Sequence, residues 1–160
     1  MNHRQHLKLS AAKRSTMTLV GNPVWRAFAA KPMTQAEQND LALDAHMAFD
    51  EIVHGRGNEH HIDMLSTAAN TCLVLCERGF GPECEPKIIE GQEALMRVKV
   101  RQRQGKRIGF DGPGAQAMRD MLDIHTQQME HAGRAELAAA ILEVHKRVAL
   151  GHTYSMRATA

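Results

Sequence analysis

Apolar residues recur at helical spacing in five successive stretches, each bounded by a capping residue or a glycine, and this pattern predicts five helices. The first opens at Thr34-Gln35-Ala36-Glu37, a capping box in which the threonine hydroxyl serves the third amide and the glutamate reaches back. Leu41, Ala45, Ala48, Phe49 and Ile52 then share one face, and Gly55 and Gly57 stop the helix. Asn58 is the expected cap of the second, with Glu59 favourably placed at its positive end. Ile62, Leu65, Ala69, Leu73 and Cys76 line one side of that helix, while Met64, Ala68 and Leu75 make the other side apolar too. A helix greasy nearly all round belongs at the centre of a bundle.

After a loop over residues 79–86, the acids Glu83 and Glu85 with Pro86 suit the start of a third helix. Ile88, Leu95 and Val98 form its buried side, and Gly105 marks its end. Residues 97–103 alternate with period two, so the pattern there admits a strand as well as the favoured helix. A glycine-rich crossing over 108–114 leads into a fourth helix, with Asp111 or Gly112 capping and Pro113 in the first turn. Met118, Met121, Leu122, His125 and Met129 lie on one face of it. Gly133 separates it from a fifth helix bearing Leu137, Ile141, Val144 and Val148 at regular spacing. The expected fold is all-α: a compact bundle of about five helices over 34–150, a basic N-terminal arm over 1–33 and a frayed tail over 151–160.

Composition supports the helices: 43% of residues are hydrophobic but only 4% aromatic, and ten are methionine. Unbranched and small side chains favour helix over strand. Charge divides the chain. Residues 1–36 hold six Lys or Arg and no acid, whereas the remainder holds fourteen basic and eighteen acidic residues. Residues 1–16 are polar, basic and aperiodic, and are expected to be disordered. The stretch 17–33 holds the single tryptophan, Trp25, with Val20, Val24 and Phe28, and is expected to dock on the body. Asn22, Pro23 and Arg26 interrupt it too soon for a signal peptide or a membrane span. Three cysteines make no disulfide framework, which suits a reducing compartment, and the expected location is the cytoplasm.

Candidate chemistry is sparse. Glu51 and His54 have the Glu-x-x-His spacing of carboxylate-bridged di-iron bundles, but that site needs two such pairs and two further glutamates. His60 and His61, adjacent on a helix, point in different directions, so His54, His60 and His61 are read as surface histidines. His125 is read as a buried histidine hydrogen-bonded to a neighbour. Cys72 and Cys76, at i and i+4 with Cys84 nearby, fall on a buried face and are read as core. The run from Gly109 to Gly114 lacks the Lys-Ser/Thr of a phosphate-binding loop. No nucleophile elbow or acid pair emerges, so no catalytic residue, metal or cofactor is implied.

Two features suggest binding. Arg97, Lys99, Arg101, Arg103, Lys106 and Arg107 place six cations in eleven residues without an acid, a pattern suited to phosphates or to an acidic protein surface. Leu43 and Met47 lie i, i+4 on the side of the first helix away from its main face. Left exposed they would suit a partner helix, although the fifth helix packing there is an equal expectation.

The Gly57-Asn58 break, the Leu73-Val74-Leu75 run ending near Gly79, and Asp111-Gly112-Pro113-Gly114 leading into a helix resemble landmarks of small helical proteins carried on plasmids, prophages and integrative elements of Gram-negative bacteria. The resemblance spans residues 34–150 and supplies no catalytic residue. It implies a bacterial mobile-element setting, in which accessory proteins regulate, aid transfer or blunt host defences. The expected function is therefore a non-enzymatic module that binds another protein. A nucleic-acid-binding role for the arm and the 97–107 stretch is the alternative, and a metal-dependent enzyme a distant third. No membrane partner is expected.

Overall fold

A computed structural model of the chain describes Ala27 and residues 31–151. The expectations for the basic start, for the docking of the Trp25 segment and for the tail beyond Gly151 lie outside the described residues. Over residues 31–151 five α-helices follow one another: α1 (Gln35–Val53), α2 (Glu59–Glu77), α3 (Glu85–Arg103), α4 (Gly112–His131) and α5 (Arg134–Ala149). A single 3₁₀ turn, Pro82–Cys84, leads into α3, and there is no strand among the described residues. The ambiguity over 97–103 resolves as helix, since Val98 is buried while Val100 is exposed on the same continuous turn.

Side-chain caps explain where α1, α2 and α4 begin. Thr34 Oγ1 accepts from the Glu37 amide at 3.3 Å, and Glu37 Oε2 accepts from the Thr34 amide at 2.8 Å. Asn58 caps α2 in the same reciprocal way, with His61 Nδ1 in the place usually held by a glutamate or glutamine. Asp111 settles the choice at α4, accepting from the Gly114 amide at 2.6 Å with Pro113 in the first turn.

Helix α2 packs against all four others, as its nearly continuous apolar surface requires. One core gathers Phe49, Ile52, Leu65, Cys72, Ile88, Met118 and Met121 from α1 to α4. A second joins Val74, Leu75, Met129, Leu137 and Val144, through which α5 rests on α2 and the end of α4. Ile108 and Phe110 pin the crossing between α3 and α4 to the first core, with the Phe110 ring 5.5 Å from that of Phe49.

Two expected core positions are corrected. Leu41 is exposed at the edge of α1, and the neighbouring Ala42 is buried instead. Val148 is exposed as well, on an open hollow that it lines together with Val144, Leu95 and Met96. Nor does α5 cover Leu43 and Met47; it packs on α2, held at each end by an arginine. Arg134 donates to Glu37 at 2.6 Å, and Arg147 forks onto both Glu77 oxygens at 2.9 and 2.6 Å.

Candidate functional site

The outer face of α1 is the surface that the fold leaves most unusual. Leu43 and Met47 are 54% and 56% exposed and stand a full turn apart. They are adjacent because i and i+4 stack on one helical face. Asp40 and Asp50 bracket them along the same stripe, one turn before Leu43 and one turn after Met47, and Asp44 flanks them. Across its whole length α1 carries five acids and no Lys or Arg. The pair therefore forms an apolar spot in a negative field.

The six cations of the 97–107 stretch do not form one surface. Arg97 turns to Asp111, 3.3 Å away, and so buttresses the cap of α4; Lys99, on another side of α3, lies 3.8 Å from Asp63 on α2. The Arg97 guanidinium and the Gly114 amide both hold the Asp111 carboxyl below the ordinary carboxylate range, the amide contributing more. Arg107 folds across Gly55, whose left-handed φ of 77° and missing side chain leave room for the guanidinium. Arg101, Arg103 and Lys106 remain exposed and make no ion pair among the described residues.

The histidine and cysteine candidates are scattered. His54 caps α1, its Nδ1 against the Asp50 carbonyl at 3.0 Å, while Glu51 turns away to Arg56 at 2.8 Å. That hydrogen bond to Arg56 holds the Glu51 carboxyl below its ordinary range. His61 is engaged in its cap, and no group of three or more metal-ligating side chains gathers among the described residues. Cys72 is fully buried with its Sγ 4.0 Å from Met121 Sδ, and Cys76 donates to the Gly81 carbonyl at 3.0 Å. Burial raises both thiols, Cys76 to about 11, so neither is poised as a thiolate nucleophile.

His125 departs from expectation in one respect. It is buried, at 5% exposure, but its Nδ1 has no hydrogen-bond partner among the described residues. Burial, with a smaller contribution from His46, pushes its pKa down to about 4, so the imidazole is neutral. Pattern reading missed other buried polar groups. Gln128 donates from Nε2 to the Cys72 and Phe80 carbonyls at 3.2 and 2.9 Å, fixing the turn after α2. Gln92 donates to Asn70 at 2.9 Å. The signal for Gln128 was present, since it sits three residues after His125 on the face that also bears Met121 and Leu122.

No helix among the described residues is long and apolar enough to cross a membrane. No protein-family model, curated protein or solved structure matches the chain.

Proposed function

We propose that the protein is a non-enzymatic interaction module that binds another protein through the outer face of α1. The observation that carries this reading is the exposure of Leu43 and Met47, side by side, on a helix whose only charges are negative. Desolvating such a pair favours association, and the surrounding carboxylates select for the partner. The complementary surface is a helix or strand that presents one or two apolar side chains flanked by Lys or Arg. The resemblance to mobile-element proteins supports a regulatory or counter-defence setting for that partner.

The test compares capture by the wild-type chain with capture by the double variant Leu43→Asp/Met47→Asp. Both positions are exposed, so the fold should survive, with each change costing within about 0.5 kcal/mol. A stoichiometric partner held by the wild type and lost by the variant is the expected result. Equal capture by both, or none by either, would overturn the reading.

A second reading, nucleic-acid binding, draws on the exposed Arg101, Arg103 and Lys106 at the end of α3 together with the basic arm. Phosphate contacts release counterions, so affinity should fall steeply between low and moderate salt. Binding to duplex or single strands that is absent, or insensitive to salt, would remove this alternative.

A further inference from the structure

The strongest unassigned feature is an apolar furrow between α1 and α5. These two helices both rest on α2 without packing closely on each other, and they meet mainly where Arg134 reaches Glu37. The opening between them holds two hollows of about 330 and 500 Å³ that share Leu41, Leu137 and Ile141 as a common wall. Met33, Ala138 and Leu142 complete the larger one, and His125 lies against the smaller.

We infer that this furrow is the seat of the chain's own N-terminal apolar segment, residues 17–30, with Trp25 and Phe28 as its anchors. The point of attachment argues for it. Met33 lines the furrow, and Arg134 donates to the Lys31 and Pro32 carbonyls at 3.3 and 3.4 Å, so Lys31 stands at the furrow's mouth. Phe28 and Trp25 precede Lys31 by three and six residues, so at a maximum of roughly 3.5 Å per residue neither can lie far from the furrow's mouth. Tethering makes the encounter intramolecular, which gives this segment a large advantage over a free ligand. Charge agrees as well. Residues 1–36 carry no acid, while Asp40 and Asp44 stand along the rim with the sign opposite to that of the arm. The furrow also explains why Leu41 is exposed although it repeats in register with the buried face: its partner is supplied from outside α1–α5. Leu41 and Leu43 point to different sides of α1, so this seat is separate from the face proposed to bind a partner.

Trp25 is the single tryptophan, and its fluorescence reports on the seat directly. In the full chain its emission should lie at short wavelength, resist acrylamide quenching and be independent of protein concentration. Ala138→Arg, which fills the furrow from α5, should move the emission to longer wavelength and raise quenching several-fold, with the helical circular dichroism unchanged. Leu41→Lys, at an exposed position on the opposite wall, should do the same and guards against a local fault in α5. Leu43→Asp/Met47→Asp should leave the emission alone. Wild-type emission typical of a solvated indole would overturn the inference, as would blue emission that neither furrow variant changes. Emission that reddens on dilution as a dimer dissociates would also overturn it, by showing that the furrow takes the segment of a second copy.

Discussion

His125 shows how one side chain can set the acid response of the whole bundle. A buried imidazole without a partner at Nδ1 stays neutral in the folded chain down to about pH 4, whereas in the unfolded chain it takes up a proton below about 6.5. Between those values the unfolded state binds more protons than the folded state, so stability falls as pH falls, and the loss levels off below about 4. A shift of this size corresponds to about 3 kcal/mol at the low end of the window. His125→Leu removes both the titration and the unpartnered nitrogen, so it should be neutral or stabilising at pH 7. Urea unfolding at pH 7 and pH 5 should show a smaller difference for the variant than for the wild type. An unchanged difference would mean that other histidines carry the effect. Glu37 acts at the other end of the scale. Hydrogen bonds from Arg134 and then Thr34 hold its carboxyl down to about 2, so its contribution is complete above about pH 4.5 and is lost only in strong acid.

At the scale of elements, α3 and α4 form the most extensive of the helix pairings, and Gly91 lets them come together. A Cβ at this position would stand 2.8 Å from Met121 Cβ and 3.4 Å from the Ala117 carbonyl. Gly91→Ala brings about 1 kcal/mol of helix propensity but forces the two helices apart, an overpacking cost of about 1–3 kcal/mol. The expected net result is destabilisation in chemical denaturation, and a more stable variant would show that the interface yields. The starts of α1, α2 and α4 were legible in the sequence because caps are local: Thr34 with Glu37, Asn58 and Asp111 act within three residues. The central place of α2 was legible because apolar character on every side leaves no solvent face. Leu41 and Val148 were not legible, because regular spacing says which residues share a face but not how closely the neighbouring helices pack against it. The pairs that lock α5, Arg134 with Glu37 and Arg147 with Glu77, join residues far apart in the chain, and no local pattern announces such a contact. The candidate site was half legible. That Leu43 and Met47 lie opposite the main face was legible, but not whether α5 would cover them, whereas the 97–107 cations read as one patch until helical geometry divided them.

For the whole molecule, that division decides which charges are available to a partner. Sequence alone makes Arg97, Arg101 and Arg103 equivalent surface cations, each replaceable at little cost. In the fold Arg97 is part of the joint between α3 and α4, since it braces the carboxylate that caps α4. Arg97→Glu sets a second negative charge against Asp111, and losing the cap costs about 1 kcal/mol. Arg101→Glu/Arg103→Glu/Lys106→Glu touches no such joint and should leave the melting temperature nearly unchanged. The triple variant can therefore be used to separate the two functional readings. The acid-only face of α1 and the cationic end of α3 are different surfaces, so their variants should have separable effects. If α1 is the recognition surface, the triple variant keeps its protein partner, with association altered only through the long-range field, while Leu43→Asp/Met47→Asp loses it. If phosphates are the target, the triple variant loses nucleic-acid affinity and flattens its salt dependence, and the α1 variant binds as well as the wild type. Measuring both ligands against both variants at two salt concentrations assigns the surface, and loss of protein capture in the triple variant alone would place recognition at the end of α3 instead of on α1.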